Sequence, residues 1–324
     1  MSTIKTIQKP IEKELLEFNK IFEESILTDH GLLKKVLSYI LQRKGKQLRP
    51  ILVFLSAGAC GGITKRSYNA ATLVELMHTA TLIHDDVVDE SYIRRNIFSI
   101  NGLWKNKIAV LMGDYLLARG LLHSVKHKEF ELLEIVSEAV DEMSRGELLQ
   151  IKKSRQLNIT EEEYFEIIEK KTASLIASCT KIGALSANAD KETVSKMFNF
   201  GRNIGIAFQI KDDLFDYESE NLSGKPPGND IKEKKMTLPL IFARKQSSRR
   251  DRKKLLKIIK SNTKTPNDIE NLVTITKNKG GFEYAENKMM EYRNKALEIL
   301  NEMPESEYLT SLKVLVDFII TRKS

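Results

Sequence analysis

The chain is poor in cysteine, with two in 324 residues, Cys60 and Cys179. Two cysteines cannot form a disulfide framework, and we expect both to be buried apolar side chains rather than nucleophiles. The chain also lacks an uninterrupted apolar run of about 18 residues, and its first residues lack the apolar core of a signal peptide. We therefore expect neither a signal peptide nor a membrane span, and a cytoplasmic protein.

Strand patterns are missing as well, because no window alternates β-branched and polar residues between hairpin turns. Apolar residues instead recur three and four apart, which is typical of amphipathic helices. This periodicity predicts helices over 11–27, 31–42, 51–59, 66–91, 108–123, 131–151, 161–188 and 191–217, a loop over 221–231, and helices near 236–246, 250–260, 267–279, 281–301 and 306–321. Since no linker is visible, we predict an all-α fold with one domain over residues 1–324, a large bundle with its site between helices.

The charge balance is basic, with 52 Lys and Arg against 44 Asp and Glu, a formal net charge of +8 and a pI near 9.2. Such a balance favours anionic partners, which are nucleic acids, acidic membranes or phosphorylated substrates.

Two acidic clusters lie in apolar runs that are compatible with helices: Asp85, Asp86 and Asp89, and Asp212, Asp213 and Asp216. The first and last acid of each cluster are four residues apart and would share one helix face. One such cluster is typical of a solvated face, but here apolar residues precede the acids and fill the positions between them. Crowded carboxylates repel unless cations screen them, and Mg²⁺ prefers carboxylates together with substrate phosphates. The pair of clusters therefore predicts a clamp for a magnesium–diphosphate complex.

Basic residues accompany both clusters. Lys46 and Arg49 lie in the turn KGKQLRP, and His78 comes two helical turns before Asp85. Further cations follow the clusters in the sequence, namely Arg94, Arg95, Lys225 and Lys235. Each alone is typical of a protein surface, but together they predict binding sites for phosphate groups.

These stretches resemble the trans-isoprenyl diphosphate synthases, or polyprenyl synthetases, from about residue 40 to 245. HDDVVDESYIRR is similar to the first aspartate-rich motif of that family, and FQIKDDLFDYESENLSGKPPGNDIKEKKMTLPL to the second with its following loop. KGKQLRP, LMGDYLLARG and KKTASLI match further segments. Lys44, Asn96 and Lys234 stand where the family has glycine, which puts the shapes of those turns in question.

The resemblance implies a role for each matching residue. The aspartates of both clusters would hold Mg²⁺ on an allylic diphosphate. Lys46, Arg49, His78 and Arg95 would bind isopentenyl diphosphate, and Arg94, Lys171, Lys225 and Lys235 the allylic diphosphate. Thr172 and Gln209 would lie beside the reacting carbons. The implied reaction is a head-to-tail condensation onto a farnesyl or geranyl starter by a homodimer.

Product length depends in this family on residues four and five positions before the first aspartate, here Thr81 and Ala80. Neither is aromatic, so we expect a channel that continues past Met77 and a product longer than farnesyl, of the octaprenyl kind.

Other functions stay open at this point. A short-chain farnesyl or geranylgeranyl diphosphate synthase would carry the same motifs. A class I terpene cyclase would not need Lys46, Arg49 and Arg95, and a non-catalytic partner subunit would lose one of the motifs. A basic RNA- or membrane-binding protein is suggested by RRDRKKLLKIIK at 249–260, which is more simply an amphipathic surface helix. We expect no nucleic-acid partner, but a peripheral membrane contact for product release.

Overall fold

The structure, a computed structural model, describes residues 3–42, 45–94, 97–217, 229–261 and 263–322, with the backbone alone at Arg94, Asn229 and Lys232. Helices make up nearly all of these residues, which confirms the prediction of an all-α fold. The helices are α1 Thr3–Gln8, α2 Glu12–Ile26, α3 Gly31–Gln42, α4 Leu48–Ala59, α5 Lys65–Val88, α6 Ile100–His127, α7 Phe130–Gln156, α8 Glu161–Ile168, α9 Ser174–Ser186, α10 Lys191–Phe215, α11 Asn229–Lys232, α12 Leu238–Gln246, α13 Arg249–Lys260, α14 Pro266–Asn278, α15 Gly281–Asn301 and α16 Glu307–Thr321. A 3₁₀ turn covers Lys9–Ile11, and a π-helix covers Glu169–Ala173. Two short antiparallel strands, β1 Ile93–Arg94 and β2 Ile97–Phe98, pair with each other.

Several helices begin where the sequence supplies a cap. At the start of α8, Thr160 Oγ1 accepts a hydrogen bond from the Glu163 amide at 3.3 Å, and the Glu163 carboxylate accepts one from the Thr160 amide at 2.9 Å. Thr265 and Asp268 make the same reciprocal pair before α14, where Pro266 occupies the first turn. These bonds satisfy amides that have no partner within the helix.

The chain divides into two compact units. Unit 1 comprises Met1–Val140, Ile176–Gly201 and Leu300–Leu315. Its core includes the rings of Phe18 and Phe54, whose centroids are 6.0 Å apart. Helices α5 and α6 pack closely, because a Cβ on Gly120 would lie only 3.1 Å from the sulfur of Met77.

Unit 2 comprises Asp141–Leu175, Arg202–Ile299 and Val316–Ser324. Its core is one apolar cluster to which α8, α10, α12, α13 and α14 contribute, with the side chains of Ile210, Leu238, Leu255 and Leu272 fully buried. The borders of the units fall inside helices α7, α9, α10, α15 and α16. One domain over residues 1–324 stays a prediction.

Helix α6 is long and apolar enough to span a membrane by composition alone, with a mean hydropathy of 1.3 over 18 residues. Core helices of soluble proteins pass the same test, and 39% of this window is buried within the protein. The expectation that no helix spans a membrane therefore stays a prediction.

The structure differs from the sequence prediction in three segments. A helical segment already starts at Ile100, where Ser99 accepts a bond from the Gly102 amide, but the backbone leaves helical geometry at Lys105 (φ 68°, ψ 169°), and the part of α6 after this kink agrees with the predicted start near residue 108. The predicted helix over 161–188 is interrupted by the π-helix. Of the predicted loop over 221–231, residues 229–231 belong to α11, and 221–228 lie outside the described residues.

Candidate functional site

Both acidic clusters lie at the C-terminal end of a helix. Two aspartates of each cluster occupy the last turn of α5 or α10, and the third follows the last helical residue: Asp85, Asp86 and then Asp89, and Asp212, Asp213 and then Asp216. A helix C-terminus carries partial negative charge and unsatisfied carbonyl groups. Carboxylates are unfavourable there unless a cation is close. Each cluster is therefore built to attract one.

In unit 1 the backbone fixes the first cluster. The Asp89 amide donates to the Asp85 carbonyl at 2.8 Å, and the Ser91 amide donates to the Asp86 carbonyl at the same distance. The Asp86 side chain is buried, Asp85 is half-buried and Asp89 is exposed. The cluster thus grades from buried to solvent, as a site entered from water requires.

His84 stands beside this cluster and was not singled out from the sequence. Its Nε2 lies 3.2 Å from the Val110 carbonyl and 3.5 Å from an Asp114 carboxylate oxygen. A Cβ at Gly113 would lie 2.1 Å from that nitrogen, so glycine leaves room for the ring. This contact explains why the segment LMGDYLLARG has a glycine at position 113.

The residues predicted to bind isopentenyl diphosphate belong to unit 1 where they are described. Lys46 is exposed, Arg49 is half-buried in the first turn of α4, and His78 is half-buried on α5. Arg95 lies outside the described residues, as do Lys44 and Asn96, and β1 contains the backbone of Arg94. The roles of these four basic residues and of Arg94 stay predictions.

In unit 2 the predicted residues form a continuous hydrogen-bonded chain. Thr172 Oγ1 donates to Gln209 Oε1 at 2.7 Å, and Gln209 Nε2 donates to Asp213 Oδ1 at 2.8 Å. The other carboxylate oxygen of Asp213 accepts a 2.6 Å bond from the Tyr164 hydroxyl. Sequence reasoning assigned Thr172, Gln209 and Asp213 to the site, but it missed Tyr164.

The π-helix presents Lys171 and Thr172 to this chain. A π-turn is wider than an α-turn and is frequent at functional sites. Two glycines leave space for it, since a Cβ on Gly146 would lie 2.9 Å from the Lys171 amide nitrogen, and one on Gly205 would lie 2.6 Å from Ala173 Cα. The absence of a Cβ at Gly146 and at Gly205 therefore lets α7 and α10 approach this turn closely.

Lys171 and Lys235 line one cavity together with Thr172, Gln209 and Asp213. The cavity measures about 90 Å³, enough for several waters or one small polar group. Lys171 pairs with the carboxylate of Glu147, and Lys235 with Glu233 at 2.7 Å and Asp230 at 3.4 Å. Lys225 lies outside the described residues.

Asp213 is 6% exposed, and burial raises its pKa to about 8. The carboxylate of Asp230 adds to that rise, while the hydrogen bonds from Tyr164 and Gln209 oppose it. A buried carboxylate held by two donors is fixed in orientation, and its ionised form is stabilised by a nearby cation.

The other two acids of the second cluster have partners of their own. Arg322 donates a hydrogen bond to Asp212, and its guanidinium carbon lies 3.9 Å from the centroid of the Phe208 ring. Asp216 accepts a 3.0 Å bond from the Asp230 amide. The protein itself thus places one cation, the guanidinium of Arg322, beside the second cluster. No sequence motif marked this residue.

The donors suit a divalent cation, because hard cations take carboxylate oxygens. Among the described residues, however, no three His, Cys, Asp or Glu side chains are grouped closely enough to hold a metal alone. A cation here would complete its shell with water and phosphate oxygens, which is the usual habit of Mg²⁺.

The cysteines take no part in this chemistry. Cys179 is buried and Cys60 is half-buried, and burial raises the pKa of each thiol to about 12. A thiol with such a pKa is not a thiolate at neutral pH, so neither is an activated nucleophile.

Comparison with known proteins agrees with these observations. Residues 30–276 match the polyprenyl synthetase family. A relative from Rhodobacter capsulatus described as an all-trans-nonaprenyl-diphosphate synthase is 34% identical over 318 residues, covering 98% of this chain and 97% of its own. A short chain isoprenyl diphosphate synthase from Methanothermobacter thermautotrophicus is 34% identical over 304 residues, covering 92% and 93%.

A solved structure extends the likeness to the fold. Polyprenyl synthase from Caulobacter crescentus, complexed with calcium and isoprenyl diphosphate, has a TM-score of 0.91 and 31% identity, covering 99% of this chain and 98% of its own. The family model spans most of the chain, and these relatives cover nearly all of it. The chain therefore belongs to the polyprenyl synthetase family, whose members are trans-prenyltransferases.

Proposed function

We propose that the protein condenses isopentenyl diphosphate head-to-tail onto farnesyl or geranyl diphosphate, giving an all-trans polyprenyl diphosphate longer than farnesyl, and pyrophosphate. The observation that carries this proposal is the chain from Thr172 through Gln209 to Asp213, which lines one cavity with Lys171 and Lys235. The ammonium groups of Lys171 and Lys235 suit the phosphates of a leaving diphosphate, and the carboxylate of Asp213 would reach them through a bound divalent cation.

The aspartates of both clusters would hold Mg²⁺, as the resemblance implies. When bound, the metal would draw electrons from the leaving diphosphate and so favour cleavage of its C–O bond. Calcium in the Caulobacter relative supports a divalent cation in this family. The buried Asp213 is oriented for such a role by the bonds it accepts from Tyr164 and Gln209.

Lys171 and Lys235 would stabilise the negative charge that develops on the leaving diphosphate. The carboxylate of Glu147 and the Gln150 amide oxygen, 3.5 Å from Lys171 Nζ, keep that ammonium in place. Thr172 donates its proton to Gln209, so its remaining lone pairs can face positive charge on the allylic carbons. The alkene of isopentenyl diphosphate then attacks the allylic carbon from which the diphosphate has left. The released pyrophosphate takes the proton that the new product loses.

A product longer than farnesyl is supported by the small side chains before the first cluster. Ala80 is fully buried and Thr81 is half-buried on α5, and neither is aromatic. The nonaprenyl relative supports a long product, whereas the short chain relative keeps a farnesyl or geranylgeranyl product as the second candidate.

The test is release of pyrophosphate, with chromatography of the products. A synthase releases pyrophosphate only when Mg²⁺ and both substrates are present, while a terpene cyclase needs the allylic substrate alone. Products that stop at farnesyl would overturn the long-chain proposal, and no release under any condition would overturn the enzymatic one. Omission of Mg²⁺ is the matched control.

We also propose a cytoplasmic homodimer. Helix α6 exposes an apolar stripe about 120° wide, the width of an amphipathic helix face, and such contiguous patches mark protein interfaces. The exposed residues are Val110, Leu111, Leu121, Leu122 and Val125. Light scattering after gel filtration tests this, and Leu122→Glu, which places a charge on the stripe, is expected to give a monomer. A monomeric wild-type protein would contradict the proposal.

A further inference from the structure

A basic groove lies in unit 2, apart from the cavity described above. It has a volume of about 1010 Å³ and is lined by the end of α7, the start of α8, and helices α12 and α13. Seven of its lining residues are basic and two are acidic: Arg155, Arg244, Lys245, Arg252, Lys253, Lys257 and Lys260, with Glu161 and Glu162. The volume exceeds that of most small-molecule pockets, so the groove suits an extended anionic surface better than a single small ligand.

Arg244 shapes the groove. Its guanidinium donates to the Leu157 carbonyl at 2.8 Å and to the Ile159 carbonyl at 2.5 Å, which fixes the connection between α7 and α8. Burial lowers the pKa of Arg244, but a guanidinium stays charged at neutral pH. Its bonds are committed to the backbone, so it acts as a support for the groove.

Of the other six cations, Arg252 donates to the Arg244 carbonyl at 3.3 Å, and the remaining five make no such bond to the described backbone. Within the described parts of the chain, no carboxylate lies in ion-pair range of Lys245, Lys253, Lys257 or Lys260, nor of Arg155. All five side chains are exposed. The groove therefore presents uncompensated positive charge to the solvent.

Helix α13 holds this charge on a rigid support. Ser248 caps it by accepting a 3.1 Å bond from the Asp251 amide, and Leu255 and Ile259 are buried in the core of unit 2. The basic residues of α13 consequently point away from the core, and the packing of Leu255 and Ile259 fixes the orientation of the helix.

We propose that this groove docks the enzyme on an anionic phospholipid surface. The proposal rests on the proposed function, because a long polyprenyl diphosphate has an apolar chain that belongs in a bilayer rather than in water. Charge complementarity favours such a surface, since each Lys or Arg near an anionic leaflet strengthens binding about fivefold. Of the described residues that line the groove, none is aromatic, whereas single-stranded nucleic acids stack on aromatic rings.

Co-sedimentation of the full-length protein with vesicles tests this docking. We expect binding to vesicles that contain phosphatidylglycerol, little binding to pure phosphatidylcholine, and a loss of binding as salt is raised. Replacing Lys253 and Lys257 with Glu should weaken partitioning more than tenfold. The matched control, Lys5→Glu with Lys13→Glu, makes the same change in net charge on exposed residues of unit 1 and should bind like the wild type.

Equal binding to both kinds of vesicle, or unchanged binding of the Lys253/Lys257 variant, would overturn the proposal. Binding to RNA but not to vesicles would also overturn it and would indicate a nucleic-acid surface. Pyrophosphate release from geranyl diphosphate and isopentenyl diphosphate with Mg²⁺, in the absence of vesicles, should be unaltered in the variant. Vesicle binding without any synthase activity would therefore refute the proposed function and leave the docking intact.

Discussion

Tyr164 donates a 2.6 Å hydrogen bond to Asp213, and both side chains are buried. Burial and the neighbouring Asp213 carboxylate raise the pKa of Tyr164, so its hydroxyl keeps the proton that it donates. Gln209 occupies the other carboxylate oxygen of Asp213. The tyrosine thus orients a carboxylate that we propose to bind metal, which is how residues behind a metal ligand tune affinity.

Tyr164→Phe removes this bond and keeps the ring. We expect Mg²⁺ affinity in the presence of pyrophosphate to fall about tenfold, since residues behind metal ligands typically contribute 10- to 100-fold. Isothermal titration calorimetry measures this without catalysis. Tyr292→Phe on α15, whose ring packs on Phe165 at 5.6 Å, is the matched control and should bind Mg²⁺ normally. Equal affinities in the two variants would contradict the role.

The raised pKa of Asp213 predicts a pH dependence of stability. Burial lifts this pKa from 3.8 to about 8, so between these values the folded protein keeps a proton that the unfolded chain has lost. Stability then declines wherever the folded state binds more protons and the pH rises. We expect the metal-free protein to be most stable near the low end of this window and to lose stability as pH approaches 8.

Thermal melting across that window, with and without Mg²⁺, measures the effect. Asp213→Asn cannot titrate and should flatten the decline. Mg²⁺ binds the ionised carboxylate, so its stabilising effect should grow with pH. A decline of unchanged slope in Asp213→Asn would assign the pH dependence to another group.

The glycines on either side of the π-helix give a third prediction. Gly205→Ala would bring a Cβ within 2.6 Å of the backbone at Ala173, and Gly146→Ala would bring one within 2.9 Å of the Lys171 amide. Each should displace the turn that carries Lys171 and Thr172, and a shift near 1 Å can cost about 100-fold in rate. We expect kcat to fall in both variants, and further in Gly205→Ala.

Steady-state kinetics combined with circular dichroism separates this effect from unfolding. Gly31→Ala, where a Cβ would meet nothing within 4 Å, is the control and should keep full activity. Normal kcat in Gly205→Ala would show that the turn tolerates the shift.

The sequence predicts the helices well because the apolar residues that recur at helical spacing form the buried faces of helices in the folded protein. The predicted segments 31–42 and 281–301 agree with α3 and α15 at both ends. Thr172, Gln209 and Asp213 were predicted from motifs and lie in one hydrogen-bonded chain. The roles proposed for the site residues stay predictions.

Other features depend on contacts that local patterns do not carry. Tyr164 and Arg322 reach aspartates that lie 49 and 110 residues away in the sequence. The π-helix has no composition of its own and needs the space left by Gly146 and Gly205. The predicted helices over 66–91 and 191–217 already place each cluster near a helix end, but not the ends at Val88 and Phe215 that leave Asp89 and Asp216 just outside, because helical spacing gives the face of a residue and not the last residue of the helix.

Lys234 gives a fourth prediction, since it stands where the resemblance implies a glycine and has φ of 61°. A left-handed conformation costs a residue with a Cβ about 1–2 kcal/mol. Lys234→Gly should therefore stabilise the protein by about 1 kcal/mol in chemical denaturation, after the entropy cost of glycine. The 2.8 Å bond from the Lys235 amide to the Asp230 carbonyl does not need the side chain.

Helix α6 offers comparisons for this change. Lys128→Gly, at the left-handed C-cap with φ of 59°, should stabilise in the same way, while Lys126→Gly inside the helix should destabilise by about 1 kcal/mol. Destabilisation by Lys234→Gly would mean that contacts of the lysine side chain outweigh the backbone strain.

The last prediction concerns product length. Ala80 is fully buried on α5, and Met77, 5% exposed, packs against Gly120 on α6. A phenylalanine at position 80 would occupy the space that we propose for the growing chain, so Ala80→Phe should give shorter products, and Met77→Ala longer ones. Chromatography of products from labelled isopentenyl diphosphate measures both shifts.

Overpacking at Ala80 also carries a cost of about 1–3 kcal/mol, so the variant must first be shown to fold by circular dichroism. Met77→Leu conserves volume and should leave the product distribution as it is. Because Met77→Ala removes bulk and Ala80→Phe adds it, misfolding cannot produce opposite shifts in the two variants. If the products of both match the wild type, the chain does not grow along this face of α5, and its length is limited elsewhere.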